Sequence, residues 1–333
     1  MLHILNGDAT LNLIKDSTVK GTFLVWKDML MEGPVSPAKT VPARGAKASG
    51  KASAKASTKA SLKSAAKSTA AKAPSMSDGV DWKARAAFLN RQYGIDSKKY
   101  LAAMKTCLNT LEKAAKGKDE VVFWFEEDFF CQIHLVYLLA NLPEALKRKG
   151  RATIICPEKP LGVRLPGAFP KLLAGRIAIE PALLTLAKKV WGAYSASSTK
   201  GWESFLKWAK SGKSFEPWPL LKSGLRSHLG RLPAADGSLN AMDTALLKSL
   251  VSGSQTFPHF LRKVWSEPQV KPLGLGDLQV ARYALDLAGR EKPLLAIDGP
   301  GSAWKPGKPI VFADWKLHLT PQGKARLAAA AKA

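Results

Sequence analysis

The sequence predicts an α/β fold, with a parallel sheet in its first half and a mainly helical last third. Short apolar runs alternate with amphipathic stretches over residues 1–160, the pattern of strands feeding covering helices. Three of these runs end abruptly in acid, at Asp8, Asp28 and Asp128. Residues 218–333 read as successive helices followed by two extended pieces.

Strands are expected at residues 2–6, 22–27, 121–126 and 152–156, each a compact run rich in β-branched or aromatic residues. The first helix should begin at Asp8 and turn Leu11, Leu13 and Ile14 inward. Longer helices are expected over 80–92, 97–116 and 129–142, with Gly7, Gly21, Gly117 and Gly150 as turn or cap residues. The Pro- and Gly-rich stretch 157–170 reads as an exit from the sheet. Together these give a Rossmann-like domain over 1–160 and a helical connection over 161–217, where Trp191, Trp202 and Trp208 recur among apolar residues as packing groups.

The last part, 218–333, contains helical patterns in LLKSGLRSHLGRL, NAMDTALLKSLVSG, FPHFLRKVWS and GDLQVARYALDLAG. The extended pieces PLLAID and IVFADWKLHLT follow. Three helices and a hairpin resemble a winged helix-turn-helix module. That resemblance implies a recognition helix from Asp277, with Gln279, Arg282 and Tyr283 as groove contacts and Lys305 and Lys308 meeting phosphate. Winged helices also serve as packing modules, and Leu278, Ala281, Leu285 and Leu287 need a core in either case.

The net charge of +25 is unevenly spread: −1 over residues 1–37, +9 over 38–75, +9 over 76–217 and +8 over 218–333. Segment 38–75 is a Lys/Ala/Ser-rich insertion with lysine at every fourth position from Lys47 to Lys67 and no aromatic residue. Such a composition is expected to be disordered when free. It suits nucleic-acid phosphates, and equally suits a solvated linker. No apolar run approaches the ~20 residues of a membrane span, and the start lacks a secretory pattern, so a cytoplasmic protein is expected. Cys107, Cys131 and Cys156 are odd in number and widely spaced, which favours reduced thiols over a disulfide framework or a zinc knuckle.

The acids carry the candidate chemistry. In an open parallel sheet, ligands bind outside the carboxyl ends of the strands, so Asp8, Asp28 and Asp128 are expected to converge on one crevice. Asn6, Gly7 and Asp8 sit at a strand-to-helix turn, where unsatisfied N–H groups bind phosphate. Asp8 has N-capping as its simplest role there. Asp28 and Glu32, four apart, would face the same way on one helical turn, as general acid/base work or a hard cation requires. Asp128 opens a helix, with Gln132 one turn on. The expected catalytic set is Asp28, Glu32 and Asp128, the ligand-binding set Asn6, Gly7, Asp8 and Gln132, and the ligands of any Mg²⁺ Asp8 and Asp128. Phe125, Phe129 and Phe130 read as core, and His3 and His134 as hydrogen-bonded core histidines.

Three motifs carry a further resemblance: H-x-x-N-G-D at His3–Asp8, V-W-x-D-x-L-x-E-G-P at Val25–Pro34, and W-F-x-x-D-x-x-x-Q at Trp124–Gln132. In this order they resemble the bacterial family catalogued as domain of unknown function 1835, over roughly residues 1–160. Some of its members carry His and Asp where this chain has Glu127 and Cys131. The resemblance implies a fold and a pocket and assigns no chemistry. No G-x-G-x-x-G follows the first strand, no G-x-S-x-G or H-E-x-x-H is present, and Pro309 after Lys308 keeps GPGSAWKPGKP from being a phosphate loop.

Two functions fit these readings. One is a phosphorylated ligand, nucleotide or nucleic-acid end bound in an acidic crevice, with Mg²⁺-dependent hydrolysis as an extension. The other is a non-catalytic nucleic-acid-binding regulator that uses the basic insertion and the helical module.

Overall fold

A computed structural model describes residues 1–36, 79–148, 150–157, 160–196, 203, 205–207, 215–216, 218–234 and 236–331. The lysine-rich insertion at 38–75, Trp202 and Trp208 lie outside the described residues.

The first strand lies inside a sheet, next to its edge. Strand β1 (Leu2–Leu5) pairs in parallel with β2 (Thr22–Val25) on one side and β3 (Val121–Trp124) on the other. Strand β4 (Ala152–Ile155) extends the parallel run beside β3, and β5 (Ile177–Ala178) closes the edge antiparallel to it. The order β2-β1-β3-β4-β5 makes a mostly parallel α/β sheet. The chain leaves β1 toward β2 and later returns toward β3, so a crevice opens outside the carboxyl ends of these strands.

Period-two alternation gives the sheet two buried faces. Leu2, Ile4, Val121, Phe123, Ala152 and Ile154 join the main core. Leu5, Val122, Trp124 and Ile155 pack instead with Ile14, Leu161 and Phe169. Helix α1 (Asp8–Lys15) and the short α5 (Phe169–Ala174) supply that second face. Helices α2 (Trp82–Tyr93), α3 (Ser97–Lys116), α4 (Phe129–Ala140) and α6 (Pro181–Ser195) supply the first. Asp81, Asp96 and Asp128 each N-cap the helix they precede.

The segment 157–170 does not leave the sheet for good. It makes short turns, enters α5 and returns as β5, whose two residues are both exposed.

The last third contains α7 (Pro219–Gly230), α8 (Ala241–Lys248), α9 (Phe257–Ser266), α10 (Asp277–Ala288) and α11 (Pro321–Ala330). A second, antiparallel sheet of order β6-β8-β7 lies among them, from β6 (Gln255–Thr256), β7 (Leu295–Asp298) and β8 (Lys316–Leu319). One continuous core runs from Leu2 to Leu317, so the helical part packs directly on the helices of the first sheet. Gly94, at φ +69°, shows how close the approach is: a Cβ there would overlap the backbone of Lys308 and Pro309. Among the described residues, no helix is long and apolar enough to cross a membrane.

Candidate functional site

A pocket of about 390 Å³ opens at the carboxyl ends of β1 and β2. Asn6, Gly7 and Asp8 border it after β1, and Lys27 and Asp28 after β2; Lys99 and Tyr100 reach it from α3. Its walls are apolar, with Trp26, Met29, Leu89, Phe130 and Leu278 among the lining residues. Leu278 comes from α10, so the last third of the chain contributes to the pocket wall.

The amino end of α1 is open. Gly7 is its N-cap, in extended backbone, and no side chain caps the first turn. Asp8 therefore does not take the expected capping role. It stands one residue inside the helix, exposed, and pairs with Lys27 at 2.9 Å. The first-turn amides and the positive end of the helix dipole remain available to an anion.

Asp28 is held very differently. Its carboxylate is fully shielded, and Oδ1 accepts from Arg85 Nη2 at 2.7 Å, Tyr100 Oη at 3.0 Å and the Met29 amide at 2.7 Å. Arg85 Nη1 also donates to the carbonyls of Glu32 at 2.9 Å and Pro34 at 3.0 Å, so one guanidinium ties down the whole loop after β2. Neighbouring Asp28 raises the Arg85 pKa despite burial, and burial followed by Asp28 raises that of the Tyr100 hydroxyl. His134 holds the same loop, with Nε2 accepting from the Leu30 amide at 3.3 Å and Nδ1 against the Phe130 carbonyl at 2.5 Å. Burial pushes its pKa down to about 4, so the ring is neutral.

Asp28 and Glu32 do not share a helical face. Residues 28–32 form a turn closed by the Glu32 amide on the Met29 carbonyl at 2.8 Å. Glu32 instead enters a network with the last third of the chain. Its Oε1 accepts from Arg231 Nη1 at 3.0 Å, Tyr283 Oη at 2.6 Å and Gln279 Nε2 at 3.1 Å. Arg231 also donates to the Tyr283 hydroxyl and the Met31 carbonyl. Beside it, burial and then Arg231 push the His228 pKa down to about 3.

The three acids at the strand ends do not all meet at one pocket. Asp128 N-caps α4, with Oδ1 accepting from the Cys131 amide at 2.9 Å, and it does not line the pocket that Asp8 and Asp28 line. A Cβ on Gly274, at φ +64°, would overlap the Asp128 carboxylate, so this acid is packed against the chain rather than open to a substrate. Gln132 is buried and committed: it donates to the Glu126 carbonyl and accepts from Trp218 Nε1.

Among the described residues, the acids and thiols close enough to share a cation are Glu126, Asp128 and Cys131, and Asp8 is not with them. This set does not suit Mg²⁺, which requires oxygen ligands. Burial holds the Cys131 thiol well above its ordinary pKa, and its Sγ already accepts from Asn6 Nδ2 at 2.7 Å. Burial, then Asp128, raises the Glu126 pKa, and burial raises that of Asp128, which disfavours the charged forms a cation needs.

The residues expected to read a nucleic-acid groove are spent inside the protein. Gln279 is 2% exposed and, like Tyr283, faces Glu32. Arg282 donates to Gln92 Oε1 at 2.7 and 3.0 Å, pairs with Asp286 at 2.5 Å, and stacks 4.8 Å over Trp304. Lys305 and Lys308 are exposed, but their loop is docked: the Gly307 amide donates to the Arg91 carbonyl at 3.0 Å, and Trp304 Nε1 to the Lys308 carbonyl at 2.6 Å.

Three residues that line the pocket each carry a shielded polar atom without a hydrogen-bond partner. Asn6 Oδ1, Trp26 Nε1 and Asp28 Oδ2 are buried, make no hydrogen bond and belong to residues that line it. A buried polar atom without a partner costs about 1–3 kcal/mol, and such atoms are rare in folded proteins. Sequence reading missed Arg85, Tyr100, Trp26, Lys27 and Lys99. For Arg85 a signal was present: Arg85, Leu89 and Tyr93 recur at four-residue spacing on the buried face of α2, an arginine where a core residue belongs. No family model matches the chain, and no curated protein matches it.

Proposed function

We propose that the chain binds a phosphorylated ligand of nucleotide size in the pocket at the ends of β1 and β2. The observation that carries this reading is the meeting of basic groups and apolar walls in one cleft. The uncapped terminus of α1, Lys27 and Lys99 border the cleft, and Trp26, Leu89, Phe130 and Leu278 give it apolar walls. The first suits a phosphate. The second suits a flat, largely apolar group.

The strand order and the open α1 turn support taking the first sheet as Rossmann-like. The three motifs that resemble domain of unknown function 1835 include Asn6, Gly7, Asp8, Trp26 and Asp28, all at this pocket. A cytoplasmic location fits a nucleotide-sized ligand. Binding is the whole of the reading. Hydrolysis has no assigned step, because Asp8 is not in the cluster that contains Asp128, and that thiol-bearing cluster suits Mg²⁺ poorly.

The nucleic-acid alternative keeps one supporting feature, an order of helices and antiparallel strands in residues 241–319 that resembles a winged helix. It is disfavoured because Gln279 and Tyr283 would have to leave Glu32 before touching a groove.

The test is calorimetric titration of the full chain with nucleoside monophosphates and their parent nucleosides. The phosphorylated member of each pair should bind about tenfold tighter, and Lys27→Ala should remove most of that difference. Equal affinity for nucleoside and nucleotide, unchanged by Lys27→Ala, would sink the phosphate assignment.

A further inference from the structure

At the edge opposite β2, the first sheet meets solvent through apolar side chains. Val163 and Leu165 are 75% and 79% exposed, the highest values for large hydrophobic residues among those described, and Ile177 of β5 is 58% exposed. Isolated apolar side chains are ordinary on a surface, whereas a group of them beside an open sheet edge marks a contact site. These three fall in one region: Arg164, which Val163 and Leu165 flank in sequence, lines the same groove as Ile177.

The groove, of about 400 Å³, lies where the sheet ends unevenly. Strand β5 pairs only with Thr153 and Ile154, so Ile155, the last residue of β4, has no partner from the edge strand. Ile155 lines the groove together with Leu172 and Ile177. A segment laid there in extended form would continue the edge that β5 begins. The charged residues of the lining are Arg164 and Lys171, with no acid among the described residues that border it. A second copy of this chain suits the groove poorly, because pairing the edge with itself about a twofold axis would bring the same cations together on chains of net charge +25.

We propose that this groove docks an extended segment of a partner protein in which acidic and aliphatic residues alternate. The aliphatic side chains cover Ile155, Leu172 and Ile177, the carboxylates meet Arg164 and Lys171, and Val163 and Leu165 lose their exposure at the rim. The groove shares no lining residue with the pocket at the ends of β1 and β2, so this proposal and the phosphate reading stand or fall separately.

The test is fluorescence anisotropy of the full chain with the labelled heptapeptide Glu-Val-Glu-Val-Glu-Val-Glu, its lysine-for-glutamate counterpart, and the acidic peptide with proline at its central valine. Salt is held at about 0.15 M, where attraction between distant exposed charges is largely screened. The acidic peptide should bind at least about tenfold tighter than the lysine peptide, and the central proline should weaken it about tenfold by removing a strand N–H. Leu165→Asp and Lys171→Glu change exposed side chains, so each should weaken the acidic peptide about tenfold while leaving the melting temperature unchanged. Tight binding of the acidic peptide that neither variant alters would place it on other basic surface and overturn the proposal. So would failure of the peptide to bind at millimolar concentration. Dimerisation in sedimentation velocity that Leu165→Asp abolishes would give the face to a second copy, and cosedimentation with phosphatidylglycerol vesicles in place of peptide binding would give it to a membrane; either result overturns the peptide assignment.

Discussion

Arg85 Nη2 donates to Asp28 Oδ1 at 2.7 Å with both side chains entirely shielded from solvent, across 57 positions of sequence. A buried ion pair of this kind adds little net stability over an apolar pair, but breaking it strands a charge. Arg85→Met should therefore lower unfolding free energy by about 3–5 kcal/mol, while Arg85→Met with Asp28→Leu should recover much of the loss. Urea unfolding of the wild type and the variants measures this directly. A single-variant loss under about 1 kcal/mol would mean the pair is solvated in solution.

His134 and His228 make stability depend on pH. Their folded pKa values lie at about 4 and about 3, below the ordinary 6.5, so the unfolded chain binds more protons between these limits. Stability is fully present above pH 6.5 and falls as pH drops through that value. From pH 7 to 5.5 each histidine should remove about 1 kcal/mol. The raised carboxyls of Glu126 and Asp128 act in the opposite sense as they protonate. His228→Gln isolates one contribution: its unfolding free energy should decline less steeply with acid than the wild type's, by that same amount.

Asp128 separates a structural acid from a catalytic one. Asn is as good an N-cap as Asp, so Asp128→Asn should leave melting temperature and nucleotide affinity nearly unchanged, whereas Asp128→Ala should cost about 1 kcal/mol. Loss of ligand binding in a folded Asp128→Asn protein would return this residue to the site.

Tyr283 and Gln279 test where α10 belongs. Tyr283→Phe removes a buried donor to Glu32 and should cost about 1–3 kcal/mol in denaturant unfolding. If α10 were instead free to enter a DNA groove, the same change would leave stability untouched and weaken binding to duplex DNA in an electrophoretic shift.

Local signals were legible in the chain and long-range ones were not. The runs before Asp8, Asp28 and Asp128 gave β1, β2 and β3, and the helices expected over 80–92, 97–116 and 129–142 match those at Trp82–Tyr93, Ser97–Lys116 and Phe129–Ala140 to within two residues at each end. Strand β5 was missed because its two residues carry no buried pattern. The site was half legible: Asn6, Gly7, Asp8 and Asp28 do border a pocket. Glu32 left it because its partners, Arg231, Gln279 and Tyr283, lie about two-thirds of the chain away in sequence, where spacing carries no information. Asp128 left it because a cap and a catalytic acid look alike before the backbone amides around them are known.

Leu278 reaches the pocket wall from α10 while the floor is built from residues 6–29. During synthesis, the amino-terminal part emerges from the ribosome long before that wall exists. The nascent chain therefore has the pocket with one wall missing until α10 has been made and docked. A carboxyl-terminal truncation before residue 277 would produce a chain that contains every polar group of the pocket and lacks the apolar wall that Leu278 supplies.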